Sequence, residues 1–235
     1  MRVALIGEFT PDAPTHLATE AALVHSAAWL QVRVDARWIS TNDIDAGTVD
    51  HFDALWIAPG SPYRNMSRTL WLIQQARERQ IPCLGTCGGF QHMLIEFARH
   101  ALGIADAEHA EYDPYASRLV VSRLVCSLVG LRLPLTLAPD ARVAAIYGTT
   151  SVTEEYYCNF GLNPEYAAAF VSSAFRTVGW DSDGQPRVME ITQHPFFVGT
   201  LFVPQARSTL DAPHPLVTAF LDVAHQRVQA SSAAR

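Results

Sequence analysis

Gly85-Thr86-Cys87-Gly88-Gly89-Phe90-Gln91 follows the apolar run Ile81-Pro82-Cys83-Leu84 and precedes helical spacing from His92 to Leu102. The stretch reads as a strand, a sharp turn carrying a cysteine, and a helix. Small residues on both sides of Cys87 let the backbone bend tightly and leave the side chain presented, as in a nucleophile elbow. N–H groups at the start of the following helix suit both a thiolate and an oxyanion. A small buried cysteine at a strand end is the alternative reading of the same seven residues.

Working outward, Val3 to Gly7 is a buried-strand pattern, and Thr15 to Leu30 has helical spacing. Val32 to Ile39 and Asp53 to Ala58 are further strands, the second running into the turn-rich Pro59-Gly60-Ser61-Pro62. Asn65 to Arg79 suits a helix with Ser67 as its cap, and Pro82 to Thr86 is the strand entering the elbow. This alternation predicts an α/β fold with a mainly parallel central sheet and helices on both faces. Past Leu102, Arg118 to Leu128, Ala167 to Trp180 and Val188 to Ile191 read as an additional antiparallel strand region, with Asp181-Ser182-Asp183-Gly184 as a turn. Phe196 to Val203 is another apolar strand, and Pro215 to about Val228 a helix with a frayed Ser/Ala end.

The 235 residues, with 49% hydrophobic and 17% charged, can bury a sizeable core, and no linker or repeat divides them. One domain over 1–235 is expected. No signal peptide opens the chain and no apolar run approaches the ~20 residues of a spanning helix, so a cytoplasmic location is expected. Cys83, Cys87, Cys126 and Cys158 lack the spacing of a metal site or a disulfide framework, which leaves free thiols and no metal. Cys126 and Cys158 read as buried or half-buried small residues. A net charge of −6 without a basic cluster argues against nucleic acid and anionic membranes as partners, leaving a small-molecule ligand. No cofactor is indicated.

These residues together resemble the class I glutamine amidotransferases, and among them the glutaminase domains of CTP synthases. Val3-Ala4-Leu5-Ile6-Gly7-Glu8 resembles the family's opening strand, and Glu20-Ala21-Ala22-Leu23-Val24-His25 its first-helix pattern. Ala58-Pro59-Gly60-Ser61-Pro62-Tyr63-Arg64 is similar to its oxyanion loop, and Ile81 to Gln91 to its nucleophile segment. Ala110-Glu111-Tyr112-Asp113-Pro114 and His194 to Phe202 match two further family segments. The resemblance implies a flavodoxin-like amidotransferase fold with Cys87 as nucleophile. It also implies oxyanion donors at Gly60 and Gly88, and pocket residues Ser61, Gln91 and Glu111. Tyr63 and Arg64 are candidate pocket contacts.

The departures are as informative. Where the family carries His-Pro-Glu, this chain reads Val203-Pro204-Gln205, which removes the general base and the carboxylate that orients it. A thiol without an adjacent imidazole stays largely protonated at neutral pH, so ordinary glutaminase activity is expected to be feeble or absent. The family's basic Arg-His-Arg-Tyr-Glu segment appears, in an approximate alignment, as Glu154-Glu155-Tyr156-Tyr157-Cys158. That reversal of charge points to a ligand other than glutamine, with Glu154 and Tyr156 as contacts and Glu155 as a proton carrier.

Among the histidines, His109 is the candidate replacement base, standing two residues before Glu111. His92, five residues after Cys87, falls on another helix face. His194, nine residues before Val203 on an extended strand, is roughly 30 Å away and reads as structural. The leading expectation is a Cys87-dependent hydrolase or transferase acting on a small amide-like or amino-acid-like substrate. The alternatives are an inactive homologue that binds a metabolite or regulates a partner, and a subunit whose base comes from a synthetase partner. A homo-oligomer is also open. In CTP synthases a synthetase domain precedes the glutaminase domain, and this chain begins at the glutaminase strand, so it is not expected to make CTP unaided.

Overall fold

The computed structural model describes residues 1–233. Its first half alternates as β1 (Arg2–Ile6), α1 (Pro14–Leu30), β2 (Asp35–Ile39), α2 (Ala46–His51), β3 (Ala54–Ile57), α3 (Met66–Glu78), β4 (Cys83–Thr86) and α4 (Gly88–His100). Then come β5 (Glu108–His109), β6 (Leu119–Arg123), β7 (Leu131–Leu137), α5 (Arg142–Tyr147), β8 (Ser151–Tyr156), β9 (Phe160–Leu162) and α6 (Pro164–Val171). The chain finishes with β10 (Phe175–Trp180), β11 (Pro186–Ile191), β12 (Phe197–Thr200), a 3₁₀ turn over Pro204–Arg207, and α7 (Pro215–Ala233).

Nine strands form one sheet in the order β2-β1-β3-β4-β12-β11-β10-β7-β8, and β5-β6-β9 form a small second sheet. From β2 to β12 neighbouring strands are parallel; from β12 to β8 they are antiparallel. The sheet is therefore mixed rather than mainly parallel, because the antiparallel strands extend it instead of standing apart. The change of direction falls at β12, which pairs with β4 in parallel and β11 antiparallel. Ligands gather where strand connections diverge in such sheets, and the elbow at the end of β4 is beside that point.

The β1, β3, β4 and β12 strands are almost wholly buried, as strands covered on both faces must be. Several sequence expectations are corrected. The α3 cap is Asn65, whose side chain accepts the Arg68 N–H, not Ser67. Ala167 to Val171 is the end of α6, not strand, and β6 stops at Arg123. The C-terminal helix runs on to Ala233 rather than fraying after Val228. Strands β7 and β8 were not expected, although Leu131, Leu133, Leu135 and Leu137 alternate along β7 as a strand pattern would. Among the described residues no helix is long and apolar enough to cross a membrane.

Candidate active site

Cys87 links β4 to α4 with φ 52° and ψ −110°, a conformation that L residues rarely adopt. A neighbouring strand and the following helix fix it: the Cys87 N–H donates to the Thr200 carbonyl at the end of β12 (2.9 Å), and the Cys87 carbonyl accepts the Gln91 N–H of α4 (3.2 Å). Such strain persists only where the surroundings over-determine it. The glycines make the elbow possible. A Cβ on Gly89 would press on the Ile57 carbonyl carbon at 2.6 Å, and one on Gly88 would meet the Ser61 nitrogen at 3.0 Å. As the first residue of α4, Gly88 has an N–H with no intrahelical acceptor, as an oxyanion donor requires.

The loop facing the elbow is held from two sides. Gly60 sits at φ +101°, and a Cβ there would reach the His16 ring at 3.0 Å. His16 accepts the Thr10 N–H at Nδ1 and donates from Nε2 to the Pro59 carbonyl (2.9 Å). From the other side, His92 donates from Nδ1 to the Gly88 carbonyl (2.7 Å) and accepts the Tyr112 hydroxyl at Nε2 (2.8 Å). The Tyr112 oxygen in turn receives the Tyr63 N–H (2.6 Å). Tyr63 itself is core, with its hydroxyl donating to the Ala58 carbonyl, while Arg64 lies exposed beside Glu8.

The structure gives His109 a different task from the one expected. Its Nδ1 accepts the Glu111 N–H (3.0 Å), so Nε2 carries the proton and donates to the Gln91 oxygen (2.9 Å). Burial, and then the neighbouring His92, lower its pKa to about 3, so the ring is neutral and a weak base. His109 therefore orients Gln91. The Gln91 amide is already occupied, donating to the Phe160 carbonyl (2.8 Å) and accepting the Ser61 hydroxyl (3.4 Å).

Cys87 is 8% exposed. It donates toward the Tyr157 carbonyl (3.7 Å) and lies beside the Cys158 thiol; among the described residues no imidazole is hydrogen-bonded to it. Val203 is fully buried, and its N–H donates to the Glu155 carbonyl (2.8 Å). Gln205 donates to the hydroxyls of Thr19 (3.1 Å) and Thr86 (3.4 Å), leaving its buried Oε1 without a partner.

Strand alternation separates the two glutamates of β8. Glu154 is fully buried and its Oε1 accepts from Tyr147 (2.8 Å), His214 (3.1 Å) and Arg207 (3.2 Å), tying β8 to the 3₁₀ turn and to α7. Tyr156 is also fully buried, with its ring against Phe202. Glu155 is half-buried, and its carboxylate accepts the Tyr157 hydroxyl (3.0 Å). Near Glu111 there is a cavity of about 590 Å³, lined also by Arg123, Asn159 and Phe160. The Glu111 Oε2 is buried there without a hydrogen-bond partner. Sequence reasoning missed Asn159, Phe160 and Arg123, which only the packing of β6 against β9 brings to Glu111. Among the described residues no cluster could hold a metal ion.

An elbow cysteine between a parallel strand and a helix, facing a glycine loop, defines an α/β protein with a nucleophile-elbow architecture. The chain belongs to the class I glutamine amidotransferases, whose family model matches residues 16–223. It is 35% identical over 246 residues to a CTP synthase of Treponema pallidum, an alignment covering 99% of this chain and 43% of that protein. It is 32% identical to a CTP synthase of Thermomicrobium roseum, over 95% of this chain and 43% of that one. The chain thus spans less than half the length of these relatives. Its fold is similar to the glutaminase domain of Trypanosoma brucei CTPS with bound acivicin, at a TM-score of 0.88 and 20% identity, over 96% of this chain and 94% of that one.

Proposed function

We propose that the protein is a Cys87-dependent hydrolase or transferase acting on a small amide-like or amino-acid-like substrate other than glutamine. The observation that carries this reading is the strained backbone of Cys87, maintained with the facing loop although Val203 offers no base. In it, the Cys87 sulfur attacks the acyl carbon and N–H groups of Gly60 and Gly88 receive the oxyanion. Glu155 is favoured over His109 as the proton carrier. Its strand end contacts both Val203, through the Glu155 carbonyl, and Cys87, through the Tyr157 carbonyl. The acidic Glu155 side chain also disfavours a ligand with a carboxylate at that end, consistent with a substrate unlike glutamine. A synthetase-type partner chain that delivers the product onward fits the same reading.

Incubation with an electrophilic amide analogue, followed by peptide mass spectrometry, tests it. Labelling at Cys87 with turnover of some member of a broad amide panel supports the proposal; an unlabelled Cys87 with no turnover sinks it. One observation favours a second reading, an inactive ligand-binding homologue: the Gln91 amide is spent within the protein on Phe160, His109 and Ser61. That reading requires Cys87→Ser to leave ligand binding intact while Glu111→Gln abolishes it.

A further inference from the structure

We propose that Cys87 and Cys158 form a redox-active dithiol, in which a hydroperoxide oxidises the Cys87 sulfur and the Cys158 sulfur then closes a disulfide with it. Three observations bring the pair together. Cys87 lies near enough to the Cys158 thiol to hold its pKa up. The Cys87 sulfur lies 3.7 Å from the carbonyl of Tyr157, in the peptide group that leads into Cys158. Both cysteines are pinned to consecutive carbonyls of the same neighbouring segment, the Cys87 N–H to Thr200 (2.9 Å) and the Cys158 thiol to Leu201 (3.1 Å). Hydrolytic chemistry at Cys87 makes no demand for a second thiol against the first.

The two sulfurs differ in the way an attacking and a resolving thiol differ. Cys87 is the more accessible, at 8% against 2% exposure, and stands at the N-terminus of α4. Cys158 is enclosed; burial, and then the adjacent Cys87, hold its thiol well above the ordinary range, so it keeps its proton. In the first step the Cys87 thiolate attacks the hydroperoxide: an S–O bond forms, the O–O bond breaks, and the peroxide leaves as an alcohol after taking up a proton. In the second step the Cys158 sulfur attacks the Cys87 sulfenic acid, the S–O bond breaks, the S–S bond forms, and the departing hydroxide takes the Cys158 proton as water. Two thiols and one hydroperoxide give one disulfide, one alcohol and one water.

The inference does not rest on the acyl-transfer reading, since oxidation can be read without turnover of any amide. The reduced full-length chain is treated with one equivalent of hydrogen peroxide, quenched with N-ethylmaleimide, and mapped by non-reducing peptide mass spectrometry. The expected result is one peptide pair joined through Cys87 and Cys158, with two of the four thiols lost and both restored by dithiothreitol. In Cys158→Ser, the Cys87 sulfenic acid should persist and be captured by dimedone. The wild-type map decides on its own if that variant does not fold. Over-oxidation of Cys87 to the sulfinic acid without a Cys87–Cys158 link, or cross-linking only through the exposed Cys126, overturns the proposal.

Discussion

The backbone N–H of Val203 donates to the carbonyl of Glu155 at 2.8 Å, which ties the end of β8 to the segment that follows β12. Two residues beyond Glu155, the Tyr157 carbonyl faces the Cys87 sulfur. If Glu155 moves protons for Cys87, Glu155→Gln should lower kcat at least about tenfold with a smaller change in KM, and should remove the acidic limb of the pH–rate profile. An unchanged profile assigns the proton transfer elsewhere.

Introducing an imidazole tests the same geometry from the other side. Val203→His combined with Gln205→Glu places a base two residues from a carboxylate held by the Thr19 and Thr86 hydroxyls. Iodoacetamide should then alkylate Cys87 at pH 7 on the order of tenfold faster than in the wild type, because an imidazole neighbour raises the thiolate fraction.

Gly89→Ala should be among the most damaging single changes in the chain. Its new Cβ would be driven into the Ile57 carbonyl group, which is backbone and cannot turn aside. A loss of about 3 kcal/mol or more is expected, read as a fall in Tm or as insoluble protein. Gly103→Ala is the control: it meets nothing within 4 Å, so only its φ of +74° opposes the change, at a cost of about 1 kcal/mol.

Stability should decline in mild acid because two imidazoles are held neutral. Burial pushes His92 down to about 4, against an opposing contribution from its hydrogen bond to Gly88, and burial with the neighbouring His92 pushes His109 down to about 3. The unfolded chain takes up these protons from about pH 6.5 downward, whereas the folded chain does not until near pH 4 and 3, so stability falls as pH drops through that window. Each ring contributes on the order of 3 kcal/mol, fully present above about pH 7. Urea midpoints measured from pH 7.5 to 4 should fall steadily, and His109→Asn should flatten the slope.

Glu154→Leu should destabilise through the groups it abandons. Tyr147, His214 and Arg207 all donate to this fully buried carboxylate, and removing it strands them beneath the 3₁₀ turn. A cost of about 3 kcal/mol is expected in thermal or urea unfolding, and Glu154→Gln should recover part of it.

The strand–elbow–helix around Cys87 was legible because its signals are local: an apolar run, glycines on either side of one reactive residue, then a period near four. The first strands and α1 were legible for the same reason. Strand β8, Ser-Val-Thr-Glu-Glu-Tyr, was not, since it is largely polar at the end of the sheet; β7 alternates leucine with other residues throughout, but Pro134 at its centre and its mostly exposed positions mask the pattern. The apolar Ala167 to Val171 resembled strand until Asn163, whose side chain accepts the Glu165 N–H, and Pro164 opened a helix there. Cys126 was expected to be at least half-buried and lies exposed, because β6 ends at Arg123 before reaching it.

By itself the sequence determined the alternating architecture and the turn that carries Cys87, since each is written in residues adjacent along the chain. Tertiary structure alone decided that His109 holds Gln91, that Glu154 and Glu155 serve opposite faces of β8, and that Cys158 stands against Cys87. Those relationships join residues distant in sequence, and their chemistry depends on burial and hydrogen-bond partners that exist only once the strands have paired.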